Sequence, residues 1–148
     1  MRLDSQERIR VRAVVVFRRG IDVLLVDHLD DVDGPVWAVP GGGVEFGERA
    51  EDAARREAME EVGVEPDTLR LLSVFENIFE HAGELGHEVC FAFEADARGT
   101  ALATADVVHG QESDGSPLVL RWVPEAELAS GLRPTWPQAL AGLVQGAG

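Results

Sequence analysis

Gly42-Gly43-Val44-Glu45-Phe46-Gly47-Glu48-Arg49-Ala50-Glu51-Asp52-Ala53-Ala54-Arg55-Arg56-Glu57-Ala58-Met59-Glu60-Glu61-Val62-Gly63-Val64 is the stretch on which the reading turns. Its glycine-rich start, with Pro40 and Gly41 ahead of it, breaks regular structure and reads as a loop. Residues 48–62 contain no Gly or Pro, consist mainly of strong helix formers, and are expected to be the best helix of the chain. Acidic Glu48, Glu51 and Asp52 suit the positive end of its dipole, and Gly63 supplies the stop. Ala54, Ala58 and Val62 recur every fourth residue, a ridge of small side chains that lets the helix lie close on a sheet.

Glu57, Glu60 and Glu61 stand at i, i+3 and i+4 of this helix, so three carboxylates project from one face within about one turn. A solvated acidic face is one reading, because such like-charge pairs cost only a few tenths of a kcal/mol each and neighbouring arginines absorb it. A hard-cation site is the other: Mg²⁺ takes oxygen ligands and is commonly held by a few carboxylates plus substrate phosphates. Arg56, four residues before Glu60, is placed to hold that carboxylate by an ion pair. The glycines match no phosphate motif. After Gly42 and Gly47 come Glu48-Arg49 where a P-loop needs Lys and Ser or Thr, and the dinucleotide fingerprint begun at Gly41 meets Phe46 in place of its third glycine. What remains is a loop able to bring its backbone close to a ligand.

Outward from this segment, residues 8–17 and 21–28 are β-branched apolar runs joined by Arg18-Arg19-Gly20, and they predict a hairpin. Residues 30–35 read as a solvated loop; a calcium loop here would begin at Leu29 and put Pro40 at its last ligand position, so that motif fails. Strands are expected at residues 36–39, 69–79, 87–95 and 117–123, and helices at residues 124–129 and 134–144. This order predicts an α/β sandwich with a mixed sheet rather than an alternating βαβ fold, with no repeat or linker dividing the single domain expected over residues 1–148.

Over 148 residues, 45% are hydrophobic and 27% charged, which fits a globular chain with a real core. The longest apolar run, residues 13–17, is far short of the roughly 20 residues that span a bilayer. The opening Met1-Arg2-Leu3-Asp4-Ser5-Gln6 lacks the apolar stretch of a signal peptide, so a soluble cytoplasmic protein is expected. The lone Cys90 sits in an apolar run, excludes an intrachain disulfide, and reads as a small buried hydrophobe. A net charge of −14 without a basic stripe argues against a nucleic-acid backbone as partner. All 13 basic residues are arginine, which rules out a Schiff-base or P-loop lysine. For a phosphate ester, divalent cations held by carboxylates would have to supply the positive charge.

From Gly42, through Glu48, to Arg56-Glu57-Ala58-Met59-Glu60-Glu61-Val62-Gly63-Val64, the segment resembles the signature of the Nudix hydrolase family, with every fixed position filled. The lead-in Trp37-Ala38-Val39-Pro40-Gly41-Gly42 and the later Arg121-Trp122-Val123-Pro124 extend the resemblance over most of the chain. It implies an α/β/α sandwich in which the box forms a loop-helix-loop unit. The implied activity is Mg²⁺-dependent hydrolysis, with Mn²⁺ as a substitute, of a nucleoside diphosphate linked to another group. By position it makes Glu57, Glu60 and Glu61 metal ligands, adds the Gly41 carbonyl and Glu48 as further ligands, and makes Arg56 the residue that orients the glutamates. For the general base it leaves two candidates, Glu57 and Glu112 of the loop Gly110-Gln111-Glu112-Ser113-Asp114-Gly115, with Asp114 behind them.

Substrate choice is less marked. Phe79, Glu80 and His81 stand where family subgroups carry a proline or tyrosine. Base stacking falls to Trp37, Trp122, Trp136, a phenylalanine or a histidine, although large aromatics are mostly core residues. Of His87 and Glu88 only one can face a site along a strand, and Glu88 is the candidate. His28, His81 and His109 lack ligand-like spacing and are expected on the surface or in loops. The expected substrates, in order, are nucleoside triphosphates, nucleotide sugars including ADP-ribose, and dinucleoside polyphosphates. Neither nucleic acid nor membrane is an expected partner, and a homodimer is expected from the resemblance alone. The alternative is an inactive nucleotide-sensing or protein-binding module of the same fold. An isomerase of this fold would need a catalytic cysteine, a role that Cys90 suits poorly.

Overall fold

The computed structural model describes residues 7–145; the polar segment 1–6, read above for targeting signals, lies outside the described residues. Strand β1 (Arg10–Arg19) turns through Gly20, in the left-handed region at φ 62°, into antiparallel β2 (Asp22–Asp30), as the hairpin signal predicts. β3 (Gly34–Ala38) pairs antiparallel with β2, and β4 (Gly41–Gly43) pairs with β1. After helix α1 (Ala50–Val62) come β5 (Arg70–His81) and β6 (Glu84–Asp96), a long hairpin whose second strand runs parallel to β1. β7 (Val107–Gln111), β8 (Pro117–Pro124), α2 (Glu125–Ala129), β9 (Thr135–Trp136) and α3 (Leu140–Val144) follow. The main path through the mixed sheet is β5-β6-β1-β2-β3-β9, with β8 also on β2 and β7 on β8.

Strand alternation divides the core in two. Ala13, Val15 and Phe17 of β1 face the α1 ridge of Ala54, Ala58 and Val62, whereas Val14 and Val16 face Leu128 of α2 and Leu140 and Val144 of α3. The layers are therefore helix, sheet, helix, the arrangement expected from the sequence. No helix among the described residues is long and apolar enough to cross a membrane.

Several boundaries differ from the sequence reading, each for a local reason. Helix α1 starts at Ala50, not at residue 48, because the Glu48 carboxylate turns back to accept the Glu45 N–H at 3.1 Å. Its end is as expected, with Gly63 at φ 77° and its N–H on the Met59 carbonyl. The long C-terminal helix shrinks to α3, since Thr135 and Trp136 run extended beside β3 and Trp136 precedes a proline, which disfavours helical backbone there. Residues 30–35 are solvated as expected at Asp31, Val32 and Asp33, but the loop is a tight turn: Asp30 Oδ1 accepts the N–H groups of Val32 and Asp33, both at 2.8 Å, and Gly34 already belongs to β3. β4, β7 and β9 carry too few alternating apolar residues to be found by periodicity.

Candidate active site

Gly42 has no room for a side chain, because a Cβ there would lie 2.4 Å from the Glu57 carboxyl carbon. The glycine loop is thus moulded onto the helix face that carries the acids. Arg56 fixes the arrangement. Its guanidinium donates to Glu48 through Nε at 2.9 Å and Nη2 at 3.0 Å, to Glu57 through Nη1 at 2.9 Å, and to the Gly43 carbonyl at 3.0 Å. The Glu48 carboxyl is held below its ordinary pKa by this arginine, and the carboxylates raise that of Arg56 in return. Glu60, at 48% exposure, is held at 3.6 Å by Arg56 on the outer flank, so the expected ion pair to Glu60 is one arm of a larger clamp.

Glu57 and Glu61 open into a cavity of about 440 Å³, which is also lined by Gly41, Gly42, Gly43, Glu88 and Glu112. Burial, and secondly the neighbouring Glu57, push the Glu61 carboxyl up to about 8, with the Gly41 backbone and Arg12 pulling it down. Two half-buried carboxylates facing one cavity, the Glu61 carboxyl raised by burial and by its neighbour, offer only oxygen donors and fit a hard divalent cation. Gly41 reaches the site because its backbone lies flat on β1; a Cβ there would come within 2.3 Å of the Ala13 carbonyl oxygen.

Of the residues singled out in the sequence, Glu57, Glu61, Gly41, Glu88 and Glu112 line this cavity, and Asp114 joins them. Glu48 and Glu60 do not line it and meet it through Arg56. Glu88, only 4% exposed, lies 3.8 Å from Arg12 and accepts a hydrogen bond from the Asn77 amide at 3.4 Å. Trp37 sits in the second core with the Arg133 guanidinium 3.7 Å from its ring centroid and lines neither cavity. Trp136, half-buried, takes the place at the cavity instead, lining the main one and a second one of about 240 Å³ that shares Arg12 and Glu88 with it.

Arg10 and Arg12 were not legible as site residues. They stand two apart on β1, so one strand face carries both to the cavity, and Arg12 pairs with Gly43 of the loop. The available signal was their alternation into a run that is otherwise apolar. His81 also departs from the surface position expected of it, being 8% exposed at the end of β5.

An α/β/α sandwich whose glycine loop and acidic helix present half-buried carboxylates beside arginines is the arrangement of the Nudix class. The Nudix domain family model matches residues 7–145, and the chain belongs to that family. It is 33% identical over 91 residues to an ADP-ribose pyrophosphatase of Methanocaldococcus jannaschii, covering 62% of this chain and 53% of that protein. It is 38% identical over 82 residues to an RNA pyrophosphohydrolase of Novosphingobium aromaticivorans, covering 49% of this chain and 50% of that protein. The chain thus spans about half the length of these curated relatives. Among solved structures, the E. coli dihydroneopterin triphosphate pyrophosphohydrolase superposes with a TM-score of 0.65 at 24% identity, over 88% of this chain and 90% of that one, a likeness of fold.

Proposed function

We propose that this protein hydrolyses a phosphoric anhydride bond in a small nucleotide, as a divalent-metal-dependent pyrophosphohydrolase. The observation that carries the reading is the convergence of Glu57, Glu61, Glu88 and Glu112 with Arg10 and Arg12 on one cavity. Four acids alone would repel a pyrophosphate, and two arginines alone would bind it without activating water. Glu57 and Glu61 would hold the ion, for which Mg²⁺ is the expected species. Bound there, such an ion neutralises phosphate charge and lowers the pKa of water.

The remaining roles fall to the chain. Arg10 and Arg12 place two fixed guanidinium charges on the phosphate side of the cavity, suited to bidentate contact with its oxygens. Arg56 is a positioning residue, holding Glu57 against the loop. Glu112, held in a tight turn by its N–H on the Ser116 carbonyl at 2.8 Å, is the base that takes the proton from the attacking water, with Glu57 as the competing assignment. Trp136 is the ring against which a nucleoside would lie. The named activities of the relatives, on ADP-ribose and on RNA, make a nucleoside diphosphate moiety the shared feature. With a net charge of −14, a small nucleotide is preferred here over a long polynucleotide.

Nucleoside triphosphates, nucleotide sugars and dinucleoside polyphosphates are assayed with Mg²⁺, beside EDTA and Glu61→Gln. Turnover lost in both controls is expected. Mg²⁺-dependent binding without turnover of any member would favour the sensing module. Glu112→Gln is expected to lower kcat by about 10²- to 10⁴-fold and to remove the acidic limb of the pH-rate profile; an unchanged profile assigns the base to Glu57.

A further inference from the structure

Beside the second cavity, the tip of the β5–β6 hairpin meets the β2–β3 turn through His81, Asp30 and Asp33. His81 is 8% and Asp30 7% exposed, so both side chains are withdrawn from water. Asp30 spends one oxygen on the Val32 and Asp33 N–H groups, which holds its carboxylate rigid and ionised, and turns the other toward the imidazole. His81 Nε2 lies 3.6 Å from Asp30 Oδ2, and Nδ1 lies 3.8 Å from Asp33 Oδ2. These separations are too long for N–H···O hydrogen bonds, whose heavy atoms sit about 2.7–3.2 Å apart. The buried imidazole makes no hydrogen bond among the described residues and is aimed at the carboxylates.

The same separations suit two ligands of one ion. With metal–ligand bonds of about 2.0–2.2 Å and a near-tetrahedral angle, neighbouring donors lie roughly 3.4 Å apart. One ligand atom from each of the three residues falls within 4.8 Å of the others. Asp30 and the Nε2 nitrogen are the fixed pair, and Asp33, whose side chain is 44% exposed, is free to swing in as the third donor.

We propose that Asp30, Asp33 and His81 form a second metal site, for a borderline transition ion such as Zn²⁺, that clasps the β5–β6 hairpin to the β2–β3 turn. An imidazole nitrogen with two carboxylates selects such an ion over Mg²⁺, which takes oxygen ligands, so this clasp and the glutamate site differ in the ion they prefer. His81 and Asp33 both line the second cavity, and His81 stands edge-on to Trp136 with ring centroids 5.6 Å apart. The clasp therefore fixes one wall of the space next to the main cavity.

The test is calorimetric titration of Zn²⁺ into the untagged full chain in excess Mg²⁺, repeated with Co²⁺ to record its ligand-field absorption. One bound ion per chain is expected, with a cobalt spectrum of mixed nitrogen and oxygen ligation that persists in Glu61→Gln. His81→Ala is expected to abolish it, and Asp33→Asn, at an exposed position that leaves the fold intact, to weaken it by at least about tenfold. Absence of Zn²⁺ binding in excess Mg²⁺ would overturn the proposal and leave the imidazole and carboxylates as a packing contact alone. So would binding that vanishes in Glu61→Gln or is unchanged in Asp33→Asn.

Discussion

Gly42→Ala separates what the loop does for the site from what it does for the fold. The new Cβ would stand 2.4 Å from the Glu57 carboxyl carbon and 2.4 Å from Oε1, whereas ordinary contact begins at 3.4 Å. Relief needs a shift of about 1 Å, and the group that must move is the far end of a flexible side chain, not backbone. Glu57 can rotate away at little cost to the fold, and the expected loss of stability is under about 1 kcal/mol, below the usual range for overpacking. The cost falls on function, because a misplacement of about 1 Å at a reacting centre costs on the order of 10²-fold in rate. Gly110→Ala is the contrasting variant: its Cβ would meet the Glu61 carbonyl oxygen at 1.9 Å, a backbone atom that yields only if α1 lifts from β7. Thermal melts and turnover on the best substrate of the panel, with Mn²⁺ titration as a readout independent of turnover, distinguish the two. Gly42→Ala is expected to melt near wild type, with kcat down about 100-fold and weaker Mn²⁺ binding, and Gly110→Ala to melt well below it. Full activity and Mn²⁺ affinity in Gly42→Ala would refute the reasoning that this glycine exists to seat Glu57.

Arg56→Lys keeps the charge but cannot donate to Glu48, Glu57 and the Gly43 carbonyl together; metal affinity by titration is expected to fall about 10- to 100-fold with the fold retained. Asp27 accepts from Arg133 at 2.5 Å and Arg121 at 2.9 Å, and the Arg133 hydrogen bond is the main cause holding its carboxyl below the ordinary value. A carboxyl whose folded pKa lies below its unfolded value of about 3.9 contributes stability above that value and loses it as pH falls. Asp27→Asn should therefore melt below wild type at neutral pH, the gap closing between about pH 5 and pH 3; a constant gap would show that the ion pairs are not its source. Burial pushes the Cys90 thiol up to about 11, so iodoacetamide at neutral pH should leave the native chain unmodified, and Cys90→Ala should keep its turnover. Loss of turnover there would reopen the isomerase reading.

The parts of the site that were legible in the sequence are those whose geometry is local. Three glutamates within one helical turn lie on one side of the helix, of which Glu57 and Glu61 line the cavity while Glu60 stays on its outer flank, and a glycine before a helix marks close approach before the partner is known. The apolar run of residues 8–17 likewise gave the first strand of a hairpin, and the structure adds that its central residues serve both helical layers, one from each side. Long-range pairing was not legible. Arg10 and Arg12 reach the cavity because β1 lies between β6 and the short β4, a placement set by strand order rather than by any neighbour in the chain. Trp37 and Trp136 have similar local contexts, each beside a proline-containing segment, yet one packs under Arg133 and the other lines both cavities because β9 adds to the edge of β3.

His81 carries the same lesson further. Nothing within ten residues of it supplies a partner, and its burial depends on a twelve-residue strand reaching the β2–β3 turn across the sheet. A long hairpin arm held only by backbone pairing at its tip would fray, since strand ends lose little contact when they open. The arm instead ends on two carboxylates and a tryptophan ring, so its tip is tied to the segment from which the second cavity is built. The local box places the reacting groups, whereas the shape of the space beside them follows from how β5, β9 and the β2–β3 turn meet. Substrate preference should therefore change with residues at that junction more readily than with residues of the box.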